Sequence, residues 1–222
     1  MELSLLKKSG LFRGFADREI VHALGCLGAR ERGYSKGEYL LLSGSPAGET
    51  GLVLSGSALV LREDYWGNRS ILSMVGPGEL LVEAFGGQAD ESLAVSVQAA
   101  EDSRVLLLST GQLLGSKTDR CQLKARLTRA MLDILLAENR KLLFKIEDST
   151  QRTTREKLLS YLSRQAMAAG SGHFTIPYDR QALADYLGVD RSALSREMAR
   201  MAREGLFAYE RNDFRLLNTD RA

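Results

Sequence analysis

Residues 179–203 of this chain, DRQALADYLGVDRSALSREMARMAR, place two short helical patterns on either side of a break at Gly188, Val189 and Asp190. In the first pattern, Arg180–Leu187, the apolar positions are Ala182, Leu183, Tyr186 and Leu187. In the second, Arg191–Arg203, they are Leu194, Met198 and Met201, spaced i, i+4, i+7. Each segment therefore has one face to bury. Gly188 supplies the backbone freedom for a sharp turn, and the Asp190 carboxylate suits an N-cap that accepts from first-turn N–H groups. Two amphipathic helices joined so tightly must cross over a shared core, which is helix-turn-helix geometry.

On the outer face of the second helix, near its N-terminus, lie Arg191, Ser192, Ser195 and Arg196. Such donors suit the DNA major groove: an arginine grips guanine O6 and N7, and a serine hydroxyl serves either donor or acceptor edges. The competing reading is an ordinary helical hairpin with a solvated basic face. Context favours the first. A β-like run, His173-Phe174-Thr175-Ile176, precedes the pair. Leu206-Phe207-Ala208-Tyr209-Glu210 and Phe214-Arg215-Leu216-Leu217 follow it around a hairpin signal at Asn212-Asp213. Helix-turn-helix plus hairpin reads as a winged helix, whose wing offers Arg211 and Arg215 either to a phosphate backbone or to solvent.

With 222 residues there is room for two domains that each bury a core. No apolar run approaches the roughly 20 residues of a membrane helix, and the N-terminus lacks a secretory pattern, so a cytoplasmic location without membrane contact is expected. The net charge is only +2. From Asp179 onward every base is an arginine and acidic residues offset them, so the DNA-binding case rests on placement rather than bulk charge. Cys26 and Cys121 are the only cysteines, which excludes a four-thiolate cluster. His22 and Cys26 form an i, i+4 pair with no further ligand at helical spacing, so packing is the preferred reading and no metal site is assigned.

The two apolar patches before residue 28 suit two short helices. From Ala29 to Ser109 short apolar runs alternate with glycines: residues 39–42, 51–54, 58–61, 70–75, 95–97 and 104–108. Strands at such even spacing predict an antiparallel barrel or roll, with Tyr65-Trp66-Gly67-Asn68-Arg69 at one hairpin tip. Residues 112–146 then read as one long helix. Within it Ala125, Thr128, Leu132, Leu135, Asn139, Leu142 and Ile146 fall at alternating three- and four-residue steps, the seam of a parallel homodimer. The neighbouring stripe Leu123, Leu127, Ala130 and Ile134 is free to pack on the roll. Polar residues 147–155 read as a hinge before the next helix.

The fold class expected is α+β: an N-terminal β-roll of the cyclic-nucleotide-binding kind (1–110), a dimerisation helix (111–148) and a C-terminal winged helix-turn-helix (149–222). With Gly76-Pro77-Gly78-Glu79, Ala99-Ala100-Glu101-Asp102-Ser103 and the run Gly188 to Arg196, this order resembles the CRP/FNR superfamily of bacterial transcription regulators from end to end. The resemblance implies double-stranded DNA with a palindromic operator, RNA polymerase and a second copy of the chain as partners. It also places Arg191 and Arg196 at base-reading positions and Arg180 with Gln181 at the phosphates. Ser192 stands where the family usually has a glutamate that reads a cytosine amino group.

The ligand cassette departs from the cyclic-AMP-binding pattern. Its Gly-Glu and Arg-Ser pairs correspond to Val82-Glu83 and Leu93-Ala94, and the Thr-Ser pair of the long helix to Arg140-Lys141. Only Glu83 is kept, and Leu93 cannot replace an arginine on a phosphate. No cyclic-AMP response is therefore expected. The effector pocket is assigned to Glu83, Leu93, Ala94 and Asn139.

Two cysteines exclude the family's iron-sulfur sensing. Haem stays compatible only through ligands such as Met74, Cys26 or the N-terminus, since the roll has no histidine. The RSALSRE run is similar to that of regulators in anaerobic bacteria, of halophenol-sensing or nitrosative-stress type, which implies a small-molecule or gaseous effector. Two rival readings are a sensor acting mainly through protein partners, against which Arg191, Ser195 and Arg196 argue, and a cupin-type enzyme, against which the missing roll histidines argue, so no enzyme is expected.

Overall fold

The computed structural model of the chain describes residues 3–46, 48–81, 92–114 and 123–217. The chain divides into two compact units, one of residues 1–68 and 72–141, the other of residues 69–71 and 142–222.

The first unit opens with α1 (Leu3–Lys8) and α2 (Asp17–Cys26). The strands follow as β1 (Arg30–Tyr34), β2 (Tyr39–Leu41), β3 (Glu49–Ser55), β4 (Ala58–Glu63), β5 (Arg69–Val75), β6 (Ser96–Ala99) and β7 (Ser103–Ser109). They form two sheets, β1-β7-β3 and β2-β6-β4-β5. Pairing is antiparallel, with Leu52 opposite Leu106 between β3 and β7 and Val60 opposite Val97 between β4 and β6. Strand β1 escaped the sequence reading because its residues, RERGY, are polar and, except Tyr34, exposed. It is held as an edge by backbone pairing to β7, which needs no hydrophobic pattern.

The hairpin tip between β4 and β5 is where it was expected. Its order comes from Asp64, whose carboxylate accepts from the backbone N–H groups of Trp66 and Asn68, both at 2.9 Å, and from the Asn68 amide at 2.7 Å. Such an Asx arrangement substitutes a side chain for the turn's own backbone acceptor. Tyr65 and Trp66 are thereby held out in solvent, 95% and 82% exposed.

In place of one helix over 112–146 there are α3 (Thr110–Leu114) and α4 (Lys124–Thr150), and residues 115–122 lie outside the described set. Leu123, Leu127 and Met131 join Leu6, Leu11, Phe12 and Ile20 of the N-terminal segment and Leu52, Leu106 and Leu108 of the roll in one buried cluster. Ala130 and Ile134 pack at its margin, so the stripe expected to face the roll does so. The other stripe of α4 is uncovered in the single chain: Leu132, Leu135, Leu142 and Ile146 are between 42% and 57% exposed.

The second unit contains the end of α4, then α5 (Thr154–Ala169), β8 (His173–Thr175), α6 (Arg180–Leu187), α7 (Arg191–Arg203), β9 (Phe207–Glu210) and β10 (Asp213–Leu216). Helix α5 starts at a reciprocal cap: the Thr153 hydroxyl accepts from Glu156 N–H at 3.2 Å, and the Glu156 carboxylate accepts from Thr153 N–H at 3.0 Å. The small sheet has the order β8-β10-β9, and Phe214 on its central strand stacks on Phe174 and Tyr209 and meets Phe207 at a tilt. Among the described residues no helix is long and apolar enough to cross a membrane.

Candidate nucleic-acid interface

Helices α6 and α7 occupy the residues their apolar spacing predicted. Each is started by an aspartate: Asp179 accepts from Ala182 N–H at 2.8 Å, and Asp190 from Ala193 N–H at 2.9 Å. Caps of this kind each stabilise a helix by about 1 kcal/mol. Between the helices Gly188 sits at φ +62°, the left-handed region that ends α6 and turns the chain. Leu183, Leu187, Leu194, Met198 and Met201 are fully buried, so the faces assigned to the core meet there.

That packing leaves Arg191, Ser192, Ser195 and Arg196 together on the exposed face of the first turns of α7. Gln181, at the start of α6, is also exposed, and its amide donates to Asp185 at 2.8 Å. Arg180 is placed differently from a free phosphate ligand. Its guanidinium donates to the Arg211 carbonyl at 3.3 Å and lies 5.1 Å from the centre of the Tyr209 ring. It thus ties the helix pair to the wing, and burial pulls its pKa below the ordinary arginine range. The two-residue turn of the wing is Arg211-Asn212, with Arg211 at φ +52°. Arg211 and Arg215 are both outside the core.

Two charged groupings behind this face escaped the sequence reading. Arg155 at the start of α5 donates to Glu204 at 2.5 Å and to Glu197 at 3.4 Å, and Arg200 donates to Glu197 at 2.7 Å. This chain of charges holds α7 on α5. The second is centred on Asp148, which is fully buried. Its carboxylate accepts from Ser160 Oγ at 2.7 Å, from Tyr186 Oη at 3.2 Å and from the Arg164 guanidinium. Lys145 Nζ lies 4.0 Å from the centre of the Tyr186 ring. Burial pulls the Lys145 pKa down to about 8 and pushes the Tyr186 phenol up to about 12. The polar text of residues 147–155 reads as exposed linker. The only hint of a buried acceptor is the i, i+4 pair Ser160 and Arg164 on one face of α5.

In the first unit Glu83 lies outside the described residues. Leu93 is buried and Ala94 exposed, and Leu93 is tied through its backbone to Gly44 and Ser45 at 2.9 Å each. Asn139 is exposed on α4. Two residues on, the Lys141 ammonium donates to Glu79 at 2.8 Å and to Glu138 at 2.7 Å. Burial alone opposes its charge, but these hydrogen bonds prevail and hold it above the ordinary lysine range. Cys26 Sγ and His22 Nε2 are 3.7 Å apart, and no group of three or more metal-ligating side chains occurs among the described residues.

A β-roll, a long helix and a winged helix-turn-helix with an arginine-bearing outer face define a DNA-binding transcription regulator rather than an enzyme. A model of the cyclic nucleotide-binding domain matches residues 31–115, and one of the Crp-like helix-turn-helix domain matches residues 156–221. The chain belongs to the CRP/FNR superfamily of effector-responsive transcription regulators. The transcriptional activator protein anr of Pseudomonas aeruginosa is 25% identical over 195 residues, which are 86% of this chain and 78% of that protein. FixK2 of Bradyrhizobium japonicum has the same fold at a TM-score of 0.69 and 22% identity, covering 87% of this chain and 94% of its own. A CooA variant of Carboxydothermus hydrogenoformans does so at 0.73 and 17%, covering 98% and 92%.

Proposed function

We propose that the chain works as a homodimer that binds a palindromic operator, with α7 of each copy in the major groove. Residues 1–110 sense an effector, 111–148 dimerise and 149–222 bind DNA. Arg191, Ser192, Ser195 and Arg196 read bases, and Gln181 lies against phosphate; Arg180, expected there too, instead braces the helix pair against the wing through Arg211 and Tyr209. The observation that carries this reading is the exposed face of α7, where two arginines and two serines stand clear of a core that fixes their helix through two aspartate caps. The uncovered stripe of Leu132, Leu135, Leu142 and Ile146 supports pairing of two copies through α4, which sets two recognition helices about one turn of DNA, ~34 Å, apart.

The effector is a small molecule or gas other than cyclic AMP. Leu93 supplies no charge for a phosphate, and Lys141 is already engaged by Glu79 and Glu138. The similarity of the RSALSRE run to that of regulators in anaerobic bacteria supports this reading of the effector, and RNA polymerase is proposed as the partner through which a bound dimer acts. The test is a gel shift on the native promoter. Arg196→Ala loses specific binding while keeping the salt-sensitive nonspecific kind, and cyclic AMP leaves the wild-type affinity unchanged. Unaltered specific binding by the variant sinks the assignment of the face.

A further inference from the structure

The exposed face of α7 carries two serines, and they are not chemically equivalent. A hydroxyl has one proton to donate and two lone pairs to accept with. Ser192 Oγ lies 2.5 Å from Asp190 Oδ1, the same oxygen that caps α7 by accepting from Ala193 N–H. The hydrogen bond from Ser192, followed by that from Ala193, holds the Asp190 carboxyl below the ordinary aspartate range, so at neutral pH it is ionised and has no proton to give. The proton in the Ser192–Asp190 bond is therefore the serine's. It points back into the helix cap, and the lone pairs of the exposed Ser192 hydroxyl are left to accept.

Breaking this arrangement to donate elsewhere is unfavourable, because a bond to a charged acceptor is roughly twice as strong as one between neutral groups. The bond also polarises the hydroxyl and makes its oxygen a better acceptor. Ser195 is exposed one turn further on and has no such internal acceptor among the described residues, so it keeps both roles.

Given the reading of α7 as the base-reading helix, we propose that Ser192 recognises its base as an acceptor only, facing the exocyclic amino group of an adenine or a cytosine. In the major groove those amino groups are the donors, whereas purine N7, guanine O6 and thymine O4 are acceptors that would meet the Ser192 lone pairs with repulsion. Ser192 thereby discriminates within a base pair by strand, which Ser195 does not.

The experiment uses the full-length protein and an operator obtained by selection from randomised duplex DNA. At each half-site pair, adenine is replaced by purine or cytosine by 2-pyrimidinone, each lacking only the amino group. In parallel the pair's purine is replaced by its 7-deaza analogue, which lacks the N7 acceptor. At one pair, loss of the amino group weakens wild-type binding on the order of fivefold, as expected for a single hydrogen bond, and leaves Ser192→Ala unaffected. The 7-deaza analogues act equally on both proteins. Coupling of Ser192 to N7, or coupling at no pair, overturns the proposal. If selection yields no operator, or Arg196→Ala binds it as well as wild type does, the base-reading role of α7 has failed instead.

Discussion

Replacing Asp148 with alanine tests whether one buried carboxylate holds the DNA-binding unit together. The substitution leaves the Arg164 guanidinium, with a side chain 24% exposed, without its counter-charge, and deprives the Ser160 and Tyr186 hydroxyls of their acceptor. Breaking a buried ion pair from one side costs about 3–5 kcal/mol, mostly because the surviving charge stays behind uncompensated. Arg164 can recover some water through its exposed edge, which argues for the lower end, while the orphaned hydroxyls add about 1 kcal/mol. A loss of about 3–4 kcal/mol is therefore expected, a large part of the roughly 5–15 kcal/mol of a typical domain. Urea unfolding followed by circular dichroism measures it in Asp148→Ala, in Arg164→Met and in the double variant. Because the double variant contains neither charge, it should be more stable than the sum of the single losses predicts. A loss below about 1 kcal/mol in Asp148→Ala, or strict additivity, refutes the reasoning.

Gly56 lies at φ +77°, and a β-carbon there would run into Ser103 Oγ and meet the Asp102 carbonyl at 2.5 Å. Gly56→Ala should therefore cost about 3 kcal/mol in thermal unfolding, and a neutral result would mean that the β3–β4 turn relaxes freely. The folded chain gives up the Lys145 proton near pH 8, while the unfolded chain keeps it to the ordinary lysine range around 10.5. Between those values the unfolded state holds the extra proton, so this group makes stability rise with pH. The stability of wild type relative to Lys145→Gln should accordingly increase from pH 8 to 10 in urea titrations, and a constant difference would contradict the burial of the ammonium. Leu135→Asp, on the uncovered stripe of α4, should sediment as a monomer at concentrations where wild type is dimeric. A persistent dimer would move the interface elsewhere.

The winged helix was legible almost residue by residue, because α6 and α7 are bounded by chemistry that is local in sequence. Asp179, Gly188 and Asp190 mark the ends, and the 3.6-residue spacing marks the buried faces. In the roll the strands with apolar runs were legible, while β1 was not, since pairing alone holds Arg30–Tyr34. In the candidate interface the face of α7 was legible, but the direction of the Ser192 proton and the inward turn of Arg180 depend on neighbours that spacing does not specify. Asp148 was the hardest residue to read. A carboxylate in a polar run is normally solvated, and its three donors come from residues 12, 16 and 38 positions further along the chain.

That placement changes the meaning of residues 147–155. As text they are a flexible hinge between a dimer helix and a DNA-binding domain. In the structure α4 continues through them to Thr150, and the Thr153–Glu156 box starts α5 directly after a three-residue bend. Asp148 stands before the bend, whereas Ser160, Arg164 and Tyr186 stand after it. Any swing at residues 151–153 must pull a buried carboxylate away from three donors at once, and the resulting unpaired charge opposes it. The corner is braced, and the last turns of α4 belong to the same compact unit as the winged helix, with the division between Lys141 and Leu142. On the proposed reading of α7 as the base-reading helix, weakening that brace in Asp148→Ala should reduce operator affinity in a gel shift even though no residue of the α7 face has changed, and wild-type affinity in that variant would refute the role of the brace.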